Sequence, residues 1–306
     1  MDVLSVVRGR SALRRWAVVS LIMNMVIVVT GGLVRLTGSG LGCPTWPKCT
    51  DESYVAHPAL GVHGAIEFGN RLLTFVLIIA AVLTFVSALL YREDGRPRRD
   101  LRWLTAGMAL GIPLQGVIGG ITVLTQLNPY VVALHLVLSM ILIALSVWLV
   151  RKTRGLAAAP AARGSVITTR VAFGLIWVAV WLGTTVTGSG PHAGDDHAQR
   201  NGLPGGLVTD LHTYAVYSAV GVTVICVVLL RSRPAVLLLL VEIVQAAIGI
   251  TQYRLGLPIG LVALHLLGAC LAVAAATNLM LSVRSDVPGP TAQRSSDQRR
   301  RFAERR

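Results

Sequence analysis

Charged residues are scarce in this chain, and over long stretches they are missing altogether. Asp, Glu, Lys and Arg make up 14% of the 306 residues while 54% are hydrophobic, against about 25% charged in an ordinary soluble domain; the mean hydropathy is +0.67. That composition excludes a soluble globular fold. Stretches with little or no charge run over residues 16–34, 72–90, 103–125, 130–150, 171–190, 207–230, 235–253 and 255–283. The second reaches back to 62 if its polar entry is included. Each is close to the roughly 20 residues a helix needs to cross the hydrocarbon core. The expected fold is therefore all-α and integral to the membrane, with eight transmembrane helices and the lipid bilayer as partner.

Two further absences narrow the reading. The net charge is +14, yet the basic residues neither cluster on one face nor interleave with aromatics, which excludes a nucleic-acid partner. Instead, 23 of the 28 Lys and Arg fall within 1–15, 91–102, 151–170, 231–234 and 284–306. These are alternate connections, so the positive-inside rule predicts that both termini lie in the cytoplasm. No small-residue cleavage site follows a short apolar core near the start, so the first span is expected to be retained rather than removed as a signal peptide. Residues 284–306 are polar and rich in Ser and Arg, and are expected to form a disordered basic cytoplasmic tail.

What is present is a repeat. The segment QGVIGGITVLTQLNPYVVALHL (115–136) aligns with QAAIGITQYRLGLPIGLVALHL (245–266), matching Gln115 to Gln245, Gly119 to Gly249 and His135 to His265; TGSG recurs at 37–40 and 187–190. The chain divides into two four-helix halves, 1–155 and 156–283, each with an even number of spans. The copies then share one orientation, with equivalent residues at equal depth.

Ionisable residues inside spans are functional candidates by default. Here they are His63, Glu67 and Arg71 with the amide Asn70, then His135, Asp210, His212, Glu242 and His265. His135, His212 and His265 each lie five to seven residues in from a span's outer boundary, or roughly 8–10 Å deep. His212 and His265 are placed to face each other across the second half. Either each binds a neighbouring helix, or the two hold a flat, apolar cofactor between them, for which haem is the natural choice. In the first half the counterpart of His212 is Asn70, and His63, Glu67 and Asn70 share one helix face. Glu67 reads either as an acid beside a reacting group or as the partner of Arg71 one turn on. Of the four cysteines, Cys43 and Cys49 fall in the first outer loop, where disulfides are permitted, as a staple or as a redox-active pair. Cys226 and Cys270 read as small core residues, and the loop at 191–202 as a surface loop.

Taken together, GGLVRLTGSGLGCPTWPKC (31–49), AIEFGNRLLTF (65–75), QGVIGGITVLTQLNP (115–129), TGSGPHAGD (187–195) and the two VALHL segments resemble the haem A synthase family. That resemblance spans about 16–283. It implies a bacterial plasma-membrane oxidoreductase that converts a ring methyl of haem O to a formyl group, with its haem sites toward the extracytoplasmic side. It implies a haem b cofactor on His212 and His265 in the C-terminal half, and substrate haem in the N-terminal half near Glu67, the candidate catalytic residue. Asn70 stands where many family members have histidine, so His135 is implied as the main ligand of the substrate iron, with His63 a substitute. The resemblance further implies a Cys43–Cys49 disulfide, propionate contacts from Arg35, Arg71 and Arg254, and haem O synthase as the upstream partner. A homo-oligomer stays open. Rival readings are a di-haem cytochrome exchanging electrons with quinone, and a transporter.

Overall fold

The computed structural model describes residues 6–286. Eight helices are long and apolar enough to cross a membrane: α1 (Gly9–Leu36), α2 (Gly61–Leu90), α3 (Arg99–Leu124), α4 (Pro129–Arg154), α5 (Arg163–Ser189), α6 (Gly205–Leu230), α7 (Arg233–Arg254) and α8 (Ile259–Met280). The chain is an all-α membrane protein of eight spans. Helices are the economical solution here because every backbone N–H and C=O inside the hydrocarbon must be satisfied within the segment.

The lipid-facing sides are written in the sequence. On α3, Leu110, Leu114, Val117, Ile121 and Leu124 are all exposed, and the first of them is 74% accessible. Their spacing of three and four residues keeps them on one helical stripe. Residues on the opposite face, such as Leu101, Met108 and Ile112, are buried.

Helix ends follow local chemistry. Asn128 caps α4, its side-chain oxygen accepting from the backbone N–H of Tyr130 and Val131, and Pro129 occupies the first turn, where its missing N–H costs nothing. Gly155 closes the same helix in the left-handed conformation. The turns from α3 to α4 and from α7 to α8 share one geometry: Gln126 and Leu127 in the first, Gly256 and Leu257 in the second, have positive φ. In each, the leucine N–H reaches back to a helix carbonyl, Thr122 in one and Gln252 in the other.

Helices α1, α4, α5 and α8 pack at the centre, with α2 and α3 flanking on one side and α6 and α7 on the other. Among the described residues, the packing within α1–α4 recurs within α5–α8, each helix touching its sequence neighbour and the first touching the fourth. At the contact between α1 and α8, Gly32 lies so close to Leu266 that a β-carbon would overlap the leucine side chain. Cys226 and Cys270 are free and buried in the apolar cluster around Met140 and Val273, as expected of small core residues.

Two expectations need correction. Residues 284 and 285, read as the start of a disordered tail, pair in a short parallel ladder, Val283–Ser285 against Ala159–Ala161; residues 287–306 of that tail lie outside the described residues. The 191–202 segment is more than a surface loop. Ala193 and Ala198 are buried with Leu127, and Gly40 donates its N–H to the Gly194 carbonyl. Its Ala and Gly residues carry at most a methyl group, which lets the backbone approach the helix ends.

Candidate functional site

One cavity of about 400 Å³ opens inside the bundle, lined by residues from all eight helices, a volume within the usual range for ligand pockets. The paired glutamines of the repeat shape its walls. Gln115 Nε2 donates to the backbone carbonyl of His135 at 2.9 Å, and Gln245 Nε2 donates to that of His265 at 2.6 Å. Each glutamine thus fixes the helix that carries the histidine 20 residues later.

The glycines of the repeat do the complementary work of letting the rings in. A β-carbon at Gly119 would stand 3.4 Å from Cε1 of His135, one at Gly183 would stand 3.3 Å from Cε1 of His212, and one at Gly249 would stand 3.1 Å from Cε1 of His265. Three imidazoles are therefore seated against three bare stretches of a neighbouring helix. A fourth glycine, Gly31 on α1, faces the Asn70 amide, its β-carbon position 3.8 Å from Nδ2. Asn70 on α2 thus faces a glycine of α1 as His212 on α6 faces a glycine of α5.

His212 and His265 face each other with ring centroids 6.5 Å apart and planes at 76°. Two metal–nitrogen bonds of about 2.0 Å plus two nitrogen-to-centroid distances of about 1.1 Å come to roughly 6.2 Å, close to the observed separation, so the pair fits one metal between them. Nδ1 of His212 lies 2.9 Å from the Ala179 carbonyl; donating there leaves Nε2 as the ligating nitrogen. Among the described residues, Nδ1 of His135 and of His265 is buried with no hydrogen-bond partner. Among the described residues no three His, Cys, Asp or Glu side chains converge on a point. A donor set of two opposed imidazoles suits a planar group that brings its own equatorial ligands, as a haem does.

On the other side of the same cavity stand His135, Glu67, Asn70 and Arg71. Glu67 is 5% exposed and is the one carboxylate among the lining residues. Its Oε1 accepts from Arg71 Nε at 3.1 Å and Nη2 at 2.6 Å, and its Oε2 accepts from the Cys43 N–H at 2.6 Å. The i,i+4 ion pair read from the sequence is therefore present, and it holds more than its own helix. Arg71 also donates to the carbonyls of Cys43, Thr45 and Lys48, so Glu67 and Arg71 together clamp the Cys43–Cys49 disulfide loop onto α2.

That loop carries a residue the sequence reading passes over. Trp46 lines the cavity and covers Gly120 so closely that a β-carbon there would overlap the indole. The signal is available in the last glycine of GVIGG, but only the fold shows what fills its space. Arg35 also lines the cavity, donating from Nε to the His192 carbonyl and from Nη2 to the Thr187 carbonyl.

The structure leaves other candidates outside. His63 is exposed, with Nδ1 2.9 Å from the Ser39 hydroxyl, and does not line the cavity. Two helical turns separate it from Asn70, and α2 turns it toward the loop instead. Arg254 is exposed at the end of α7, also away from the cavity. Glu242 is buried on α7, accepting from the Thr223 hydroxyl, without reaching the lining.

The COX15-CtaA family, described as cytochrome oxidase assembly proteins, matches residues 14–60 and 61–195. The chain belongs to this family. The match takes in α1 to α5 with the disulfide loop, Glu67 and His135. Among similar curated proteins, a haem A synthase of Methylorubrum extorquens is 29% identical over 216 residues, covering 59% of this chain and 55% of that protein. One of Methylobacterium radiotolerans is 30% identical over 220 residues, with 61% and 59% covered. One of Geobacillus thermodenitrificans is 34% identical over 116 residues, with 38% and 34% covered. The chain thus spans little more than half the length of the longer-matching curated relatives.

Proposed function

We propose that this chain is a haem A synthase, an oxidoreductase of the bacterial plasma membrane that converts a ring methyl of haem O to a formyl group and so provides haem A for terminal oxidase assembly. The observation that carries the reading is the asymmetry of the cavity: opposed imidazoles 6.5 Å apart at one site, and at its quasi-equivalent a single imidazole beside the one lining carboxylate. Membership of the family and the names of the relatives support it.

In this reading the C-terminal half, 156–283, holds a haem b on His212 and His265, and the N-terminal half, 1–155, takes haem O on His135. When bound, the cofactor haem supplies a centre that takes up and passes on single electrons. The chain's own residues do the rest. Gly183 and Gly249 let the cofactor's two imidazoles stand in register, while the Ala179 carbonyl holds His212 in one tautomer. Glu67, anchored at both oxygens, presents fixed negative charge to the reacting edge, where it stabilises developing positive charge or receives a proton. Trp46 and the disulfide loop close the cavity above α3 and keep water from it.

Arg35 and Arg71 are the propionate candidates that line the cavity, and every nitrogen of Arg71 is already engaged in the loop clamp. By the positive-inside rule the basic connections favour both termini in the cytoplasm and the disulfide end outside, with haem O delivered by the farnesyltransferase that makes it. The test is direct. Purified protein should show a low-spin haem spectrum and, supplied with haem O, should yield haem A by mass spectrometry. Absence of haem A, with E67A leaving the bound haem composition unchanged, would sink the enzyme reading and favour a di-haem electron carrier.

A further inference from the structure

Asn70 is the odd member of the four residues seated against glycines, and its surroundings say what it does there. The Thr30 hydroxyl donates to Asn70 Oδ1 at 2.8 Å. The same hydroxyl also lies 3.0 Å from the Val26 carbonyl; with Oδ1 turned to Thr30, Nδ2 stands on the side of Gly31, where, among the described residues, it has no hydrogen-bond partner. An amide nitrogen has no available lone pair and cannot take the ligating role that His212 takes in the other half, but it is a good hydrogen-bond donor. The amide is also shorter than an imidazole, so the space a ring would fill is left free on the cavity side.

A second observation bears on the same point. A crevice between α1 and α2 is lined by Thr30, Leu33, Val34, Ile66, Gly69, Asn70 and Leu73, and it shares Val34 and Asn70 with the main cavity. Four of its walls are aliphatic, Gly69 leaves it open, and its polar lining is confined to the Thr30–Asn70 pair. It ends at the Asn70 amide, and its lining suits small uncharged molecules and disfavours ions.

From these two features we infer that the Asn70 face of the N-terminal haem site is a binding site for a neutral diatomic ligand, which would enter between α1 and α2, bind a haem iron held by His135 alone, and accept a hydrogen bond from Asn70 Nδ2. This rests on the reading that His135 holds a haem in that half. A haem held by both His212 and His265 would offer no such site.

Carbon monoxide is the probe, applied to the reduced, haem-loaded full chain. The expected result is CO binding by the haem that His135→Ala removes and by no other. N70H should convert that haem to a six-coordinate spectrum and abolish CO binding. N70L should keep it but release CO about three- to tenfold faster, the scale of one lost hydrogen bond, with a shifted C–O stretching frequency. L73W, which touches neither haem ligand, should slow CO rebinding after flash photolysis without changing the resting spectrum. A His135-dependent haem that takes no CO and whose spectrum N70H leaves unchanged overturns this inference alone. A protein with no His135-dependent haem overturns the reading of the site beneath it.

Discussion

Glu67 is legible in two ways, as an acid for chemistry and as the partner of Arg71, and the structure makes both testable in one double-mutant cycle. Its carboxylate accepts two bonds from Arg71 and one from the Cys43 N–H, with Glu67 side-chain accessibility 7% and Arg71 20%. Removing one partner of a largely buried ion pair costs about 3–5 kcal/mol, mainly because the other charge is stranded. R71Q and E67Q should therefore each be strongly destabilised, with E67Q at the lower end because glutamine still offers an oxygen to Cys43 N–H. In the double variant neither charge is stranded, and a coupling of about 1–3 kcal/mol should return. Thermal melts of detergent-solubilised protein, followed by the haem absorption band, read the stability. Conversion of haem O to haem A reads activity, which should fall in E67Q and stay low in the double variant. Coupling below about 0.5 kcal/mol would refute the clamp. Recovery of activity along with stability would show that Glu67 serves only as an anchor.

Other outcomes follow from the same geometry. Gly249→Val, whose first added carbon would stand 3.1 Å from the His265 ring, should abolish the bis-histidine low-spin spectrum while the protein still inserts and purifies, as checked by absorption and size-exclusion chromatography. Gln245→Ala removes the donor to the His265 carbonyl and should lower cofactor retention, by about tenfold in apparent affinity for a positioning partner; haem-release kinetics measure it. Trp46→Ala keeps the disulfide and the clamp but opens the cavity, so the N-terminal haem should dissociate faster in transfer to apomyoglobin while the His212–His265 haem is unaffected. Cysteines introduced at Asp94 and at Glu52 should be labelled by an impermeant maleimide from opposite sides of the membrane, with Glu52 accessible from outside.

The spans and the three deep histidines can be read from the sequence because membrane solvation acts locally: uncharged length sets the helix, and an imidazole in such a run stands out. Helix ends are harder. The expected span 16–34 is Gly9–Leu36 in the structure, while the second, 72–90 or back to 62 with its polar entry, is Gly61–Leu90, since arginines and polar residues extend a helix past the hydrocarbon, where water again satisfies them. The repeat shows that Gln115 and Gln245 matter but not why, because a side chain donating to a carbonyl on the next helix is a tertiary fact. Trp46 escapes the sequence for the same reason: in CPTWPKC it is one loop aromatic among turn formers, and only the packing of the loop over Gly120 gives it a wall to form. His63 is a candidate in the sequence because it shares a face with Glu67, yet sharing a face says nothing about depth. Seven residues along α2 carry it out of the cavity and into contact with Ser39.

The same frame, a glycine opposite a ring on the next helix, is used three times with histidine and once with asparagine, and that one replacement accounts for much of the difference between the two sites. A pair of opposed imidazoles saturates an iron and holds it in one state, which suits a group that only passes electrons. A single imidazole leaves a substrate free to leave and leaves one face of its iron to be set by the protein. On the proposed reading the N-terminal site needs other means of holding its occupant in register, and the residues available for that are the Glu67–Arg71 clamp, the disulfide loop it secures, and the Trp46 ring that the loop lays over Gly120. If that is their purpose, then restoring the second imidazole in N70H should tighten haem retention in the N-terminal half and make it less dependent on Trp46, and the double variant N70H/W46A should hold haem better than W46A alone.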